Sequence, residues 1–471
     1  MYSKSADYLL VGLVLMVLLE SFAAVLSHGY STAVAAVGIS SCLKIDKPGY
    51  YILEKDVSGV SENKFSCISI VSDGVVLDGR GFTVSGFSEG AGVEVKGSGS
   101  VIKNVKVVNY RWGVILVWPS SRNTIANNTI SRNVIGLYIP ASPGNSILGN
   151  IVEGNIEVGV YVESPNNTIA GNTFTDNAYE ALRIEKTTNN AVVNNTFRGN
   201  DWSITVIESS NNTLIGNTLA GNQCGLNLVN SSSNLVALNE LVSNNHNIVL
   251  DKSSSNLVVE NRVKNGSYGI SLFGSSSNTV ARNTVAGNGY GIYLEESSNN
   301  TIYLNYFLSN TYNYKCVLCE VGNSQRWFSL EPLKYFYRGK EYVSYLGNYW
   351  SNYSGPDRNG DGVGDEPHVL DDANRDPFPL VAASLDYKFP ELFPTTPIST
   401  TPSPTLTPTT STLVPQTTTT TATTEKTTRT EGVTATSETR GGELTPLTIL
   451  LAPVLLISVV LALLVRKTRR K

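Results

Sequence analysis

The sequence predicts an all-β chain wound as a parallel solenoid, and three observations point there. First, the asparagines that open each short apolar piece fall at Asn123, Asn145, Asn167, Asn190, Asn212, Asn234, Asn256, Asn278 and Asn300, every interval being 22 residues except one of 23. A fixed period in this range is the mark of stacked repeats. Second, each period carries another asparagine five places on (Asn128 to Asn305) and a third near ten places on (Asn133 through Asn265 to Asn310). Third, the pieces between these asparagines, such as NTIA, NTIS and IGLYI, are β-branched and too short for helices. Three short strands and three corners per turn describe a parallel β-helix with coils of about 22 residues. A leucine-rich repeat has a similar period, but its leucine ladder and helical segment are missing.

The asparagines are read as structural. Asparagine tolerates left-handed backbone angles at a corner, and its amide both donates and accepts, so stacked copies can bond from coil to coil. The less regular stretches 73–86 and 100–117 match the same unit, with Asp78 in an asparagine place. Eleven coils result, about 50 Å of cylinder at ~4.8 Å per strand. Residues 73–310 therefore form the repeat domain. Open sheet edges need covers, which 40–72 and 311–384 are expected to supply.

The ends of the chain differ in composition. Lys4 followed by the apolar run YLLVGLVLMVLL and small residues has the layout of a secretory signal peptide, placed at 1–36. Residues 385–443 turn to threonine, proline and serine, too poor in apolar groups to fold and suited to an extended, O-glycosylated stalk. Leu447 to Val465 is an uncharged 19-residue stretch, followed by the basic tail 466–471 (RKTRRK). That pattern reads as a transmembrane helix with the bulk of the chain outside the cell.

A net charge of −4 with 16% charged residues and no basic stripe outside the tail argues against a nucleic-acid partner. In an oxidising compartment Cys42 and Cys67 can pair, while Cys224 inside the repeat suits a small buried filler. Cys316 and Cys319 are spaced like half a zinc site, with no second half in the sequence.

KIDKPGYYILEKDVSG, CISIVSDGVVLDGRGFTVSG, the NNTI-type repeats and the ending LGNYWSNYSGPDRNGDGVGDEPHVLDDANRDPFPL together resemble the NosD-type β-helix family over about residues 42–380. The stalk and basic-tailed anchor resemble archaeal cell-surface proteins. The resemblance implies a right-handed parallel β-helix of the pectin-lyase-like kind, related to carbohydrate-binding and sugar-hydrolysing domains. It also brings in a copper-associated maturation role. Copper favours histidine, methionine and thiolate donors, and this chain has three histidines and two methionines, Met1 and Met16, both in the signal segment.

Two places carry candidate chemistry. In DRNGDGVGD, oxygen donors at Asp357, Asn359 and Asp361, then Gly362, the Val363 carbonyl and Asp365 follow the order of a calcium loop, with His368 where an EF-hand has glutamate. Asp371, Asp372 or Asp376 would supply the missing oxygens, and a structural calcium ion is expected; a turn capped by its own aspartates is the alternative. The other place is an outward strand face bearing Trp118, Tyr138, Tyr161 with Glu163, Arg183 with Glu185, and Thr205 followed by Glu208. Aromatic rings beside charged groups suit a saccharide, and closely spaced carboxylates (Glu163, Glu185, Glu208) keep a glycosidase in view. Sequons at Asn127, Asn166, Asn211, Asn230, Asn265, Asn299 and Asn352 are candidate glycan acceptors. The expected function is a membrane-anchored surface protein presenting a binding face to glycans or cell-envelope proteins. A polysaccharide hydrolase or lyase is the alternative, and a copper maturation factor the second.

Overall fold

A computed structural model of the chain describes residues 36–61, 64–318, 325–383 and 386–389. The expected signal segment, membrane span and basic tail lie outside the described residues, and so does the expected stalk except for 386–389, where Tyr387–Lys388 is a strand of the end sheet rather than stalk. Three parallel sheets of 13 strands each make up the fold. We name them A, C and B in the order the chain visits them, as in Thr124–Ala126 (sheet A), Thr129–Ser131 (sheet C) and Ile135–Ile139 (sheet B). Neighbouring strands in each sheet are one coil apart, so Ile125 pairs with Ile147 in sheet A and Ile130 with Val152 in sheet C. This is a parallel β-helix, and no α-helix occurs among the described residues.

Short strands form because each needs only one inward side chain to join the core. Ile125, Ile147, Ile169, Val192, Leu214, Val236, Val258, Val280 and Ile302 stack as one fully buried column in sheet A. Each such side chain contributes about 1.5–3 kcal/mol relative to exposure. In sheet C the column includes Phe174 and Phe197, whose rings stack at 4.5 Å.

The corners divide their work in a way the sequence reading did not separate. Left-handed angles belong to the residue just before each stacked asparagine: Arg122, Asn127, Arg132, Asn166, Asn194 and Asn211 all have φ between 53° and 62°. Glycine takes the same place at Gly149, Gly171 and Gly216, where the backbone again has positive φ. The stacked asparagines that follow are buried and bond along the axis. Asn150, for example, donates Nδ2 to Ile125 O at 2.8 Å and to Asn172 Oδ1 at 3.0 Å, while Asn172 Oδ1 also accepts the Asn150 backbone N–H at 2.9 Å. Turning and bonding are thus assigned to adjacent residues.

Two places differ from expectation for related reasons. Asn265 is not in the third column: it is an exposed corner residue with φ 58°, and Gly266 follows it in the ladder position. Asn247 bridges the gap, accepting from Asn244 Nδ2 at 2.9 Å and donating to Asn288 Oδ1 at 3.1 Å. Asp78 does not replace an asparagine either. It is in register with Lys103 and Ala126, two residues ahead of the ladder residue Asn128.

The ends also depart from the expected layout. Residues expected to cover one end instead wind as coils: Leu43–Ile45, Gly49–Leu53 and Ser66–Ile70 are members of sheets B, A and B. Their entrance is closed by a Cys42–Cys67 disulfide. At the other end, Asn348 extends the second ladder from 43 residues away, its Oδ1 accepting from Asn305 N and Nδ2. That column stops at Asp376, whose carboxylate accepts the Asn348 backbone N–H at 2.7 Å and Trp350 Nε1 at 2.9 Å. Burial pushes the Asp376 carboxyl up to about 6 despite these bonds. Small antiparallel sheets, Leu333–Tyr337 with Lys340–Ser344 and Tyr387–Lys388, and His368–Val369 with Arg375–Asp376, complete the end.

Asn217→Ala removes the acceptor of Asn195 N and Nδ2 and the donor to Val192 O. It is expected to cost about 2–4 kcal/mol of stability in urea unfolding. The neighbouring corner change Asn211→Gly, which keeps the positive φ, is expected to stay within about 0.5 kcal/mol.

Candidate functional site

Sheet B has the longest strands, so it alone presents several outward side chains per coil. The register aligns Glu94, Ile115, Tyr138, Tyr161, Arg183, Thr205 and Asn227 in one outward column. Tyr138 and Tyr161 stack at 5.1 Å, and the Arg183 guanidinium lies 5.3 Å from the centre of the Tyr161 ring. The Tyr138 hydroxyl donates to Glu163 Oε2 at 2.6 Å; that of Tyr161 contacts Glu163 Oε1 at 3.0 Å and Glu185 Oε2 at 2.5 Å. Arg183 donates from Nε to Glu185 Oε2 at 2.8 Å and from its Nη1 to Glu180 Oε2 at 3.1 Å. Lys186 is 3.6 Å from Glu185.

Arg183 is thus shared by Glu180 and Glu185, Lys186 is near Glu185, and Glu163 accepts from the two tyrosine hydroxyls. Burial opposes ionisation of Glu185, but the Tyr161 hydroxyl, the Arg183 hydrogen bond and charge, and Lys186 outweigh it and hold the carboxyl below its usual range. Burial and the hydrogen bonds to Glu163 and Glu185 push the Tyr138 and Tyr161 hydroxyls up, so they stay protonated donors. Burial opposes the Arg183 charge, yet Glu180 and Glu185 raise its pKa. The cluster offers rigid rings, carboxylates and a guanidinium. A carboxyl held low suits an acceptor for sugar hydroxyls and equally the ionised partner of a glycosidase pair, though not its general acid.

The structure brings together Tyr138, Tyr161, Arg183, Glu163 and Glu185 and leaves out two expected members. Trp118 is 77% exposed and outside the column, where Ile115 is the residue in register with Tyr138. Glu208 is an exposed corner residue with φ 47°, equivalent to Lys186 one coil earlier, and Ile207 is the register partner of Glu185. Sequence reasoning missed Glu180, buried at the start of its strand; its only signal is a charge three residues before Arg183.

It also missed a second aromatic patch on the same face. His246, Tyr268, Tyr290 and Tyr312 stack in register at 4.6, 5.3 and 5.4 Å, with Tyr293 set edge-on against Tyr268 and Tyr290. Their spacing of 22 residues was the available signal. Between the two patches the column is filled by Thr205, Asn227, Val249 and Ser271, all buried.

In the end loop, Asp357 accepts the backbone N–H groups of Gly360, Asp361 and Gly362, and Asp361 Oδ1 accepts that of Val363. Asn359 Nδ2 donates to Asp361 Oδ2 at 3.0 Å, and Asp365 Oδ2 accepts from the Arg358 backbone at 2.6 Å. Each carboxylate has about four lone-pair positions, so amide bonding alone does not exhaust these oxygens. Two of the three expected extra donors are committed elsewhere: Asp371 bonds Tyr314 and Asn374, and Asp376 ends the ladder. His368 packs against Trp350 and Tyr353. Among the described residues, no group of three or more His, Cys, Asp and Glu is arranged to hold a metal ion.

The family described as periplasmic copper-binding protein (NosD) matches residues 68–249 and 203–355. The chain belongs to this family. Curated protein sequences give no match. Among solved structures, the chain is similar to the Dettilon tailspike protein gp208 (14% identity, TM-score 0.41), with 62% of this chain covered. It spans 60% of the length of that tailspike. It is also similar to the A-module of Azotobacter vinelandii mannuronan C-5 epimerase AlgE4 (13% identity, TM-score 0.42, 60% of this chain and 87% of that one). DFA-IIIase from Arthrobacter chlorophenolicus A6, without its lid and in complex with GF2, is a third (13% identity, TM-score 0.39, 52% and 81%).

The copper named in the NosD description finds no fitting donor set among the described residues. Cys224 and His246 are register neighbours, and no third donor joins them. Burial pushes the Cys224 thiol up to about 12. Cys42, Cys67 and Cys316 are all disulfide-bonded.

A lowered carboxyl pKa stabilises the fold above the unfolded value and loses that effect as pH falls through the folded one. The stability advantage of the wild type over Glu185→Gln is thus expected to be full at pH 7 and to shrink below the unfolded value near 4.5. Urea unfolding at a series of pH values measures it.

Proposed function

We propose that this NosD-family chain is a non-enzymatic surface protein whose sheet B face binds a glycan or a glycan-bearing envelope partner. The observation that carries the reading is the cluster of stacked Tyr138 and Tyr161 with Arg183, Glu163 and Glu185. Its rings give apolar faces and edges, its hydroxyls and guanidinium give directional donors, and its carboxylates accept from sugar hydroxyls. Glu163 and Glu185, both in contact with the Tyr161 hydroxyl, are the observation behind the alternative, a polysaccharide hydrolase or lyase.

Placement outside the cytoplasm is supported by the Cys42–Cys67 disulfide and by the periplasmic description of the family. The anchor at 447–465 and a stalk that starts after the end-sheet strand Tyr387–Lys388 belong to this reading, and they would hold the β-helix away from the membrane. The sequon residues Asn127, Asn166, Asn211, Asn230, Asn265, Asn299 and Asn352 are all exposed, which suits them as glycan acceptors. A calcium ion on Asp357, Asn359, Asp361 and Asp365 is proposed in a structural role only, steadying the end loop.

Two measurements test the proposal. The full-length chain, offered acidic and neutral polysaccharides, is expected to be retained by at least one without releasing reducing ends or unsaturated products. Tyr161→Ala and Arg183→Ala should each weaken retention about tenfold, equivalent to ~1.4 kcal/mol. Cleavage that disappears in Glu185→Gln would establish the hydrolase or lyase instead, and neither retention nor cleavage would leave the face without this role. For calcium, EDTA is expected to lower the melting temperature and added calcium to restore it; an unchanged midpoint removes the ion.

A further inference from the structure

The edge of the cylinder where sheet A meets sheet C lies opposite sheet B. Over the early coils it turns through Arg80, Asn104 and Asn127, all with positive φ. A depression of about 450 Å³ opens there, lined by Asp78, Arg80, Asn104, Lys106, Asn127 and Thr129. Its size falls in the range of small-molecule sites, roughly 300–1,000 Å³. Later coils turn the same corner at Gly149, Gly171 and Gly216, which add no side chain, at Asn194, and at Arg282, whose charge is paired with Glu260 of the preceding coil at 3.1 Å.

The charges in this depression do not cancel. Asp78 is already engaged: Lys103 Nζ lies 3.5 Å away, and the Tyr50 hydroxyl, the Arg80 backbone N–H and Asn104 Nδ2 donate to it at 2.8, 3.0 and 3.0 Å. Burial opposes its ionisation, but these bonds and Lys103 hold its carboxyl below the ordinary value. Asp56, from the preceding coil, is turned to the Thr83 backbone N–H at 2.7 Å. Arg80 and Lys106 enter none of the ion pairs found among the described residues. Two cations beside a side-chain amide and the Thr129 hydroxyl make a donor-rich wall. Arginine presents a planar fork to an oxyanion and lysine a point charge.

We propose that this corner is a second binding site, separate from sheet B, for an oxyanion carried by a saccharide: the carboxylate of a uronic acid or a sulfate ester. Arg80 and Lys106 pair with the anionic group, and Asn127 and Thr129 face the sugar hydroxyls. Asp78 acts as a positioning residue that holds Lys103 and the Arg80 turn in place.

The test uses the full-length chain made in a host that adds no N-glycans, because Asn127 at the rim is also a sequon. Calorimetric titration compares a trigalacturonate, a sulfated disaccharide and a neutral trisaccharide. Binding of one or both anionic probes, weakening as salt rises, is expected, and which probe binds identifies the oxyanion. Arg80→Gln and Lys106→Gln should each lower that affinity about tenfold, with the melting temperature checking that both fold. Tyr161→Ala should leave it unchanged, which keeps this site distinguishable from the sheet B face. Failure of both anionic probes, equal binding of the neutral one by the Tyr161→Ala chain, or an affinity untouched by the Arg80→Gln, Lys106→Gln double variant would overturn the proposal.

Discussion

Everything in this fold depends on buried side-chain amides that satisfy one another along the cylinder. A coil of 22 residues must reverse direction three times, and each corner interrupts the ladder of backbone hydrogen bonds. Without partners the freed N–H and C=O groups would be buried at a cost of about 1–3 kcal/mol each. An asparagine placed just after the turn answers this, since its Oδ1 takes two N–H groups from the coil before and its Nδ2 serves one carbonyl there and the next asparagine. Serine hydroxyls form a parallel ladder of the same kind, Ser253 Oγ accepting the Ser231 backbone N–H and donating to Leu228 O. Where the ladder loses its asparagine, at Gly266, a nearby one, Asn247, closes the gap.

The ladder also explains how the end of the cylinder is made. Asn348 and Asp376 come from the segment after the last repeat, yet they continue and then stop the second column. A carboxylate is a suitable terminus because it accepts from every remaining N–H and donates to nothing. Trp350, stacked on Phe307 at 4.5 Å and bonded to Asp376, ties the aromatic core of the last coils to the same point.

With the backbone satisfied internally, the outer faces are free to vary, and they do so differently. Sheet A and sheet C strands are three residues long over most of their length and place few side chains outward. After the first coil, sheet B carries five or six residues per strand, which is why rings and charges accumulate there. Near its middle, Arg183 is shared by Glu180 and Glu185, so a face that would otherwise repel itself is held together. The opposite corner keeps unmatched positive charge at Arg80 and Lys106. A rigid cylinder can therefore carry chemically distinct sites without changing its core.

The sequence by itself determined the repeat length, the buried aliphatic columns, the asparagine ladders and the pairing of Tyr138, Tyr161, Arg183 and Glu185, because all of these recur at one interval. Only the tertiary structure decided which of two adjacent residues turns the corner and which bonds. It alone showed that Trp118 and Glu208 stand outside the face and that Glu180 belongs to it, whereas the His246–Tyr312 stack was legible in its 22-residue spacing. The physical reason is register: strands of unequal length and a coil of 23 residues shift the pairing by one place. A shift of one reverses the side a residue faces. Periodicity survives such shifts, whereas the identity of a neighbour does not.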